Sequence, residues 1–457
     1  MACSNFRVFT RAIANALAIV TPKVLSAKPR RTGFLNWPQK RPNENRGQRR
    51  AGDKPPCVML PFSRVRGPRE MARLGVERDA QSRNSLEGIQ VLRAAAALLV
   101  VLLHTLAAAR TANARLTIPD WLAQFGAIGV DIFFVISGFI MFRVSFPAGR
   151  PALAPASFLR KRLTRIYPVY WFVMALMLEL WSLGLLPLAH LNAEMIDAEN
   201  QRMLIRSIFL LPTNYFVMAI AWTLVYEMYF YFIFGATLYF SNPLVSLLGA
   251  SATIMILYAA HGWVPDPALS DFLRNPIAIE FCFGLLMGYL AMRWPRLAFA
   301  AKPLWIPAAA LLAIAAFAQP YASAIHPPSL SRVLQWGVPS FLLVASFLSM
   351  KSDSGPLRRQ MILLGDASYA IYLTHPIAMI YYAKLLQGNV SSLPQWPIVP
   401  LIIVLSAGFG VVIHVVVERR LMSGVRGLFG GRIASSLARP PLSPEIAQEL
   451  ESTVPDR

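Results

Sequence analysis

Cysteine is scarce in this sequence, and the few present do not organise it. Cys3, Cys57 and Cys282 form no metal-ligand spacing, and Cys282 sits in an apolar run, so neither a zinc module nor a disulfide framework is implied. Acidic residues are also few, with 23 Asp and Glu against 44 Lys and Arg. Charge of either sign makes up only 15% of the 457 residues while 56% are hydrophobic, and the mean hydropathy is +0.48. That balance excludes an ordinary soluble domain. No internal repeat is evident, which counts against a transporter built from duplicated halves.

What is abundant is positive charge, a formal +21, and its distribution decides what it means. Residues 1–87 hold 18 Lys and Arg against 6 Asp and Glu, a net +12. The remaining +9 lies mainly in loops between apolar runs. This pattern fits membrane topology and anionic lipid headgroups, not nucleic acid. Residues 1–84 read as a basic extension, and three origins compete for it. It could be a disordered cytoplasmic arm, an Arg-rich targeting segment, or translated upstream sequence with Met71 as the true start. The later acidic and Pro-rich part fits a targeting segment poorly, and the third origin is preferred.

Apolar runs predict an all-α, polytopic membrane bundle of about ten spans over residues 85–420, followed by a short tail, 421–457. The spans fall at roughly 89–109, 126–144, 165–187, 217–240, 244–263, 276–294, 302–319, 332–350, 363–386 and 397–418. Arg160, Lys161, Arg162 and Arg165 precede the third, Arg293 and Arg296 follow the sixth, and Arg419 and Arg420 follow the tenth. All lie on one side if the count is right. By the positive-inside rule that side is the cytoplasm, with both termini there.

Several residues then stand at membrane depth and call for a reason. Arg93 and His104 share the first span, eleven positions apart. That is three turns plus roughly 20°, so they project from one face about 16 Å apart along the axis. The bland alternative is a snorkelling arginine and a histidine bonded to a neighbouring helix. Asp131, in the second span, lies about as far from the outer end as His104. It either orients the imidazole or caps the start of its own helix. The Arg160–Arg165 run, with Tyr167 and Trp171 behind it, either enforces topology or meets a phosphate-rich ligand from the cytosol. Glu227 lies near mid-membrane among tyrosines, and its plain reading is a helix–helix hydrogen bond. His375, beside Pro376, is read first as structural, since the proline frees carbonyls that need a donor.

These stretches together resemble the acyltransferase-3 family of integral membrane acyltransferases. The likeness rests on the Arg93…His104 pair and on Gly129-Val-Asp131-Ile-Phe-Phe-Val-Ile-Ser137-Gly. Arg162-Leu-Thr-Arg165-Ile-Tyr-Pro, Trp222-Thr-Leu-Val-Tyr-Glu227 and Ser368-Tyr-Ala-Ile-Tyr-Leu-Thr-His-Pro reinforce it. Each is weak alone; five in order are specific. The resemblance implies acyl transfer, usually acetyl from acetyl-CoA, to a glycan hydroxyl at the bacterial inner membrane. It makes His104 the catalytic histidine and Arg93 its partner in handling the donor. The tail is too short for the extracytoplasmic domain that some members carry, so transfer is expected to finish within the membrane domain.

The mechanism that follows has Arg93, Arg162, Arg165 and Tyr167 holding acetyl-CoA. His104 acts as base on the acceptor hydroxyl or as an acyl carrier, Asp131 orients it, and Glu227 completes the catalytic set. Ser137 has no assigned base and is the weaker nucleophile. No aspartate follows His104 at the spacing of the soluble His-x4-Asp acyltransferases. Expected partners are the acyl-CoA, a glycan or lipid-linked glycan, and membrane lipids, with no metal and no nucleic acid. Two rival classes remain: a transporter with His104, Glu227 and His375 as a proton relay, and a non-catalytic member of a polysaccharide assembly complex. Succinyl transfer, or a small hydroxylated metabolite as acceptor, stays open within the enzyme class.

Overall fold

The computed structural model describes residues 68–112, 119–186, 198–295, 301–318, 329–348, 355–387 and 395–430. The chain divides into two units, Met1–Arg78 and Asp79–Arg457, and the following concerns the second. The expected extension lies outside the described residues up to 67, and the tail lies outside them from 431 onward. Among the described residues there is no strand.

Ten apolar helices fall on the ten expected spans. They are α1 (Glu87–Arg110, the apolar part of the helix Pro68–Ala112), α2 (Ile128–Ser145), α3 (Pro155–Ser182), α4 (Ala219–Phe240), α5 (Pro243–Ala259), α6 (Pro276–Arg293), α7 (Lys302–Phe317), α8 (Leu330–Leu348), α9 (Ser368–Gln387) and α10 (Pro397–Val425). Seven of these are long and apolar enough to cross a membrane, while α5 and α7 are shorter. α9 is long enough but carries Tyr, Thr, His and Lys along its length. The protein is thus a multi-pass helical bundle, and length with composition accounts for seven crossings, not ten.

Helices in lipid gain nothing from hiding apolar side chains from each other, so close packing depends on small residues. The contact of α2 with α6 shows this. A Cβ on Gly284 would stand 2.1 Å from the Val135 carbonyl oxygen, and one on Gly138 would stand 2.2 Å from that of Phe281. Gly129 brings α2 equally close to α1, where a Cβ would meet the Ala96 carbonyl oxygen at 2.3 Å. Stacked aromatics continue the join to α4: Phe134 on Phe281 at 4.5 Å and Phe281 on Phe230 at 4.4 Å. Offset rings of this kind add modestly to the area they bury.

The segment between α3 and α4, expected as a loop, instead carries the helix Ala198–Ile208 to the middle of α3. A helix end leaves its last carbonyls without partners. Here Tyr170 donates to Ser207 O (2.7 Å), Trp171 to Ile208 O (2.9 Å) and Tyr167 to Phe209 O (2.9 Å). Three aromatics on one face of α3 therefore satisfy one helix terminus. Further out, Arg206 pairs with Asp266, the cap of the helix Pro267–Arg274, and this guanidinium holds the Asp266 carboxyl below its ordinary value.

The glycine contact has a direct test. Gly284→Val should lower the melting temperature in detergent and the folded yield, at an overpacking cost of about 1–3 kcal/mol or more. Gly408→Ala, where nothing stands within 4 Å of the added carbon, should leave both unchanged.

Candidate active site

α1, α2, α3, α4 and α9 enclose a cavity of about 120 Å³. Its polar end is made by Arg93, Arg162, Arg165, Glu227, Tyr231 and Ser137, and its apolar wall includes Phe133, Phe134 and Tyr372. Arg93 is reached through a chain of hydrogen bonds. Asp366 accepts from Gln90 Nε2 at 2.7 Å, and Gln90 Oε1 accepts from Arg93 Nη1 at 3.3 Å. Gly365, packed against the Gln90 backbone, puts Asp366 beside Gln90. Arg162 is buried with its guanidinium 5.7 Å from the Phe158 ring centre, and its Nε has no hydrogen-bond partner among the described residues. Arg165, one turn on, is exposed and marks the mouth.

Glu227 is the one carboxylate on the cavity wall. Tyr231, four residues along the same helix, donates to its Oε1, and Ser137 Oγ donates to the same oxygen at 3.3 Å. The serine that lacked a base in the sequence therefore faces a carboxylate. On the wall itself three guanidinium groups stand with one carboxylate, and Asp366 stands one hydrogen-bonded residue behind Arg93.

His104 stands about three turns beyond Arg93 on α1 and is not on this cavity's wall. Its Nδ1 donates to Val100 O at 2.9 Å, which leaves a lone pair on Nε2. Its ring centre is 4.9 Å from that of His375. Tyr372 connects the two regions: it lines the cavity, and its ring lies 5.8 Å from His375. The Tyr372 hydroxyl is held by Thr223 Oγ1 (2.7 Å) and Ile220 O (3.1 Å).

Two expected positions are different from the sequence reading. Asp131 does not bond His104. Both its oxygens accept from Arg332, at 2.9 and 3.2 Å, and Glu280 Oε1 lies 3.6 Å from the same guanidinium. Asp131 and Glu280 are fully buried and Arg332 is 9% exposed. The physical reason is that a bidentate guanidinium satisfies a buried carboxylate far better than a neutral ring. Tyr167 also stands apart from the cavity wall, its hydroxyl committed to Phe209 O. The sequence reading missed Arg332, Glu280, Gln90 and Asp366. Arg332 at the start of an apolar run was the available signal, and π-helical turns from Val333 to Gly337 follow it directly.

This arrangement predicts opposite outcomes from the two roles of Asp131. Removing one partner of a buried pair costs about 3–5 kcal/mol. Arg332→Met and Asp131→Asn should therefore both lower melting temperature and membrane abundance. A kcat loss in Asp131→Asn at unchanged stability would instead restore Asp131 as the orienter of His104.

Comparison with known proteins agrees with the residue pattern. Residues 86–415 match the acyltransferase-3 family model, described as an acyltransferase domain. The exopolysaccharide production protein ExoZ of Rhizobium meliloti (strain 1021) is 32% identical over 274 residues, covering 57% of this chain and 78% of that protein. No solved structure gives a match. With residues 86–415, most of its length, under one family model, the chain belongs to the acyltransferase-3 family.

Proposed function

We propose that this protein is an O-acyltransferase of the bacterial inner membrane, with both termini cytoplasmic. It transfers acetyl from cytoplasmic acetyl-CoA to a hydroxyl of an exported glycan, free or lipid-linked. The observation that carries the reading is the convergence of Arg93, Arg162 and Arg165 on one cavity whose wall, among the described residues, carries the single carboxylate Glu227, with Asp366 standing behind Arg93 through Gln90. Cations at membrane depth are costly, so a site that sets Arg93 and Arg162 behind Arg165 at its mouth is suited to an anion. The unpartnered Arg162 Nε is a donor suited to a phosphate oxygen. The exopolysaccharide role in the relative's name supports a glycan acceptor. The same site chemistry admits a lipopolysaccharide or small-metabolite acceptor and a succinyl donor.

The helix supplies the geometry of the reaction. Arg93 and His104 are fixed about 16 Å apart on one rod. A donor whose phosphates lie at the arginines can carry its thioester along that rod toward His104, past Tyr372. His104 Nε2 then takes the acceptor's proton as the hydroxyl oxygen attacks the thioester carbon. The C–O bond forms, the C–S bond breaks, and the proton passes to the departing thiolate. No net proton is made or consumed. A second reading, transfer through an acyl-Ser137, draws on its hydrogen bond to Glu227.

Membranes containing the protein should release CoA thiol from labelled acetyl-CoA when acceptor is added. His104→Ala should abolish this release at equal abundance, while Ser137→Ala should retain it. Flux of a glycan without donor would turn the reading toward a transporter.

Neutralising Arg162 or Arg165 should raise the KM for acetyl-CoA roughly tenfold or more per contact, since a charge-assisted hydrogen bond is worth about 1.5–3 kcal/mol. The KM for acceptor should move little. If the cluster only sets topology, abundance falls and the KM of inserted protein is unchanged. A cysteine probe at position 161 should react from the inside and one at position 202 from the outside; the reverse would overturn the donor's sidedness.

A further inference from the structure

His375 has a structural task that accounts for only one of its two ring nitrogens. Pro376 has no N–H, so the carbonyl of Tyr372, four residues before it, loses its helical donor. His375 Nδ1 takes over, donating to Tyr372 O at 2.7 Å. This bond fixes the tautomer, because a carbonyl can only accept, and leaves a lone pair on Nε2. That Nε2 is buried without a hydrogen-bond partner among the described residues, in a side chain with no exposed surface. Buried polar atoms without partners are uncommon and call for an explanation.

The ring next to it is His104, at 4.9 Å between centres and tilted by 51°. His104 has the same arrangement: Nδ1 donates to a carbonyl of its own helix, Val100 O, and Nε2 carries the lone pair. Among the described residues no carboxylate is bonded to His104, because Asp131 is committed to Arg332. The base therefore lacks the usual anionic support for the imidazolium that forms when it takes a proton.

We propose that His375 is the proton-sharing partner of His104. The inference rests on the reading of His104 as the base. When His104 Nε2 takes the acceptor's hydroxyl proton and the C–O bond forms, the lone pair on His375 Nε2 shares that proton. When the C–S bond breaks, the thiolate takes it, giving ester and CoA thiol and returning both rings to their neutral forms. A histidine suits this place where a carboxylate would not. The empty site then holds no charge that the membrane interior must bear, and the pair becomes cationic only during transfer.

His375→Asn is the chosen variant, since the asparagine amide can still donate to Tyr372 O but places nothing at Nε2. We expect kcat to fall about ten- to a hundredfold, with both KM values within about twofold and the melting temperature near that of the parent protein. A purely structural residue would instead lower the melting temperature or move a KM together with kcat. If His375→Asn folds poorly, His375→Ala with Pro376→Ala restores a backbone donor to Tyr372 O. That pair should recover stability without recovering turnover. Turnover within twofold of the parent protein in either variant would overturn the inference and leave His375 as a helix strut. A kcat loss matched by a fall in melting temperature in both variants would overturn it equally. If His104→Asn itself turns over normally, the base reading fails first and this inference falls with it. A dead His104→Asn with a fully active His375→Asn removes only the inference.

Discussion

Every charge inside a hydrocarbon layer must be answered at bonding distance or by a ligand, and two charged groups on either side of α2 differ in how far they answer each other. On one side of α2, Asp131 meets Arg332 in a bidentate pair with Glu280 beside it. That group is closed, with both carboxylates fully buried, and it is neutral when one of them holds a proton. Six residues along, about 120° round the same helix, Ser137 faces the cavity. There Arg93, Arg162 and Arg165 converge on one cavity. The closed group is a strut between helices distant in sequence. The open one is the candidate site, where the wall carries three guanidinium groups and one carboxylate.

Both groups depend on how closely α2 is held. Gly138 follows Ser137 directly and lies against Gly284 of α6, while Gly129 lies against Ala96 of α1, two residues before Asp131. A methyl group at any of these points would push a backbone away. The cavity wall and the buried ion pair would then move together, since they share one helix. The fixed spacing of Arg93 and His104 is also a property of a rod, not of loops. That rigidity is what a donor with a charged head and an extended arm requires.

Much of the architecture was legible because the membrane imposes it. Apolar runs gave every helix on which a span was expected, though α5 and α7 fall short of membrane-crossing length. The relative placement of candidate residues was legible where they share one helix, as Arg93 and His104 do, or lie in one motif, as Arg162 and Arg165 do. It was not legible where partners come from far apart. Asp131 and Arg332 are separated by 201 positions, and depth alone gave Asp131 to His104, its neighbour across a short loop. Charge was the stronger criterion: a buried carboxylate takes the nearest guanidinium before a neutral ring. Tyr167 was misjudged in the same way, because nothing in the sequence shows that a helix between α3 and α4 ends at the middle of α3. Its free carbonyls, not a ligand, claim that hydroxyl.

The same contacts bear on the transport alternative. A proton relay through His104, Glu227 and His375 needs groups that can pass a proton in turn along one path. The two histidines do meet, at 4.9 Å. Glu227, however, is held by Tyr231 and Ser137 on the cavity side, and the ring of Tyr372 lies between that side and His375. The Tyr372 hydroxyl is turned to Thr223 and Ile220, bonded to neither histidine nor carboxylate. The three ionisable groups thus fall into two compartments, a cationic one suited to holding an anion and a neutral one suited to moving a proton locally. That division is what acyl transfer from an anionic donor to a hydroxyl requires, because the donor's charge and the reacting proton never need to occupy the same place.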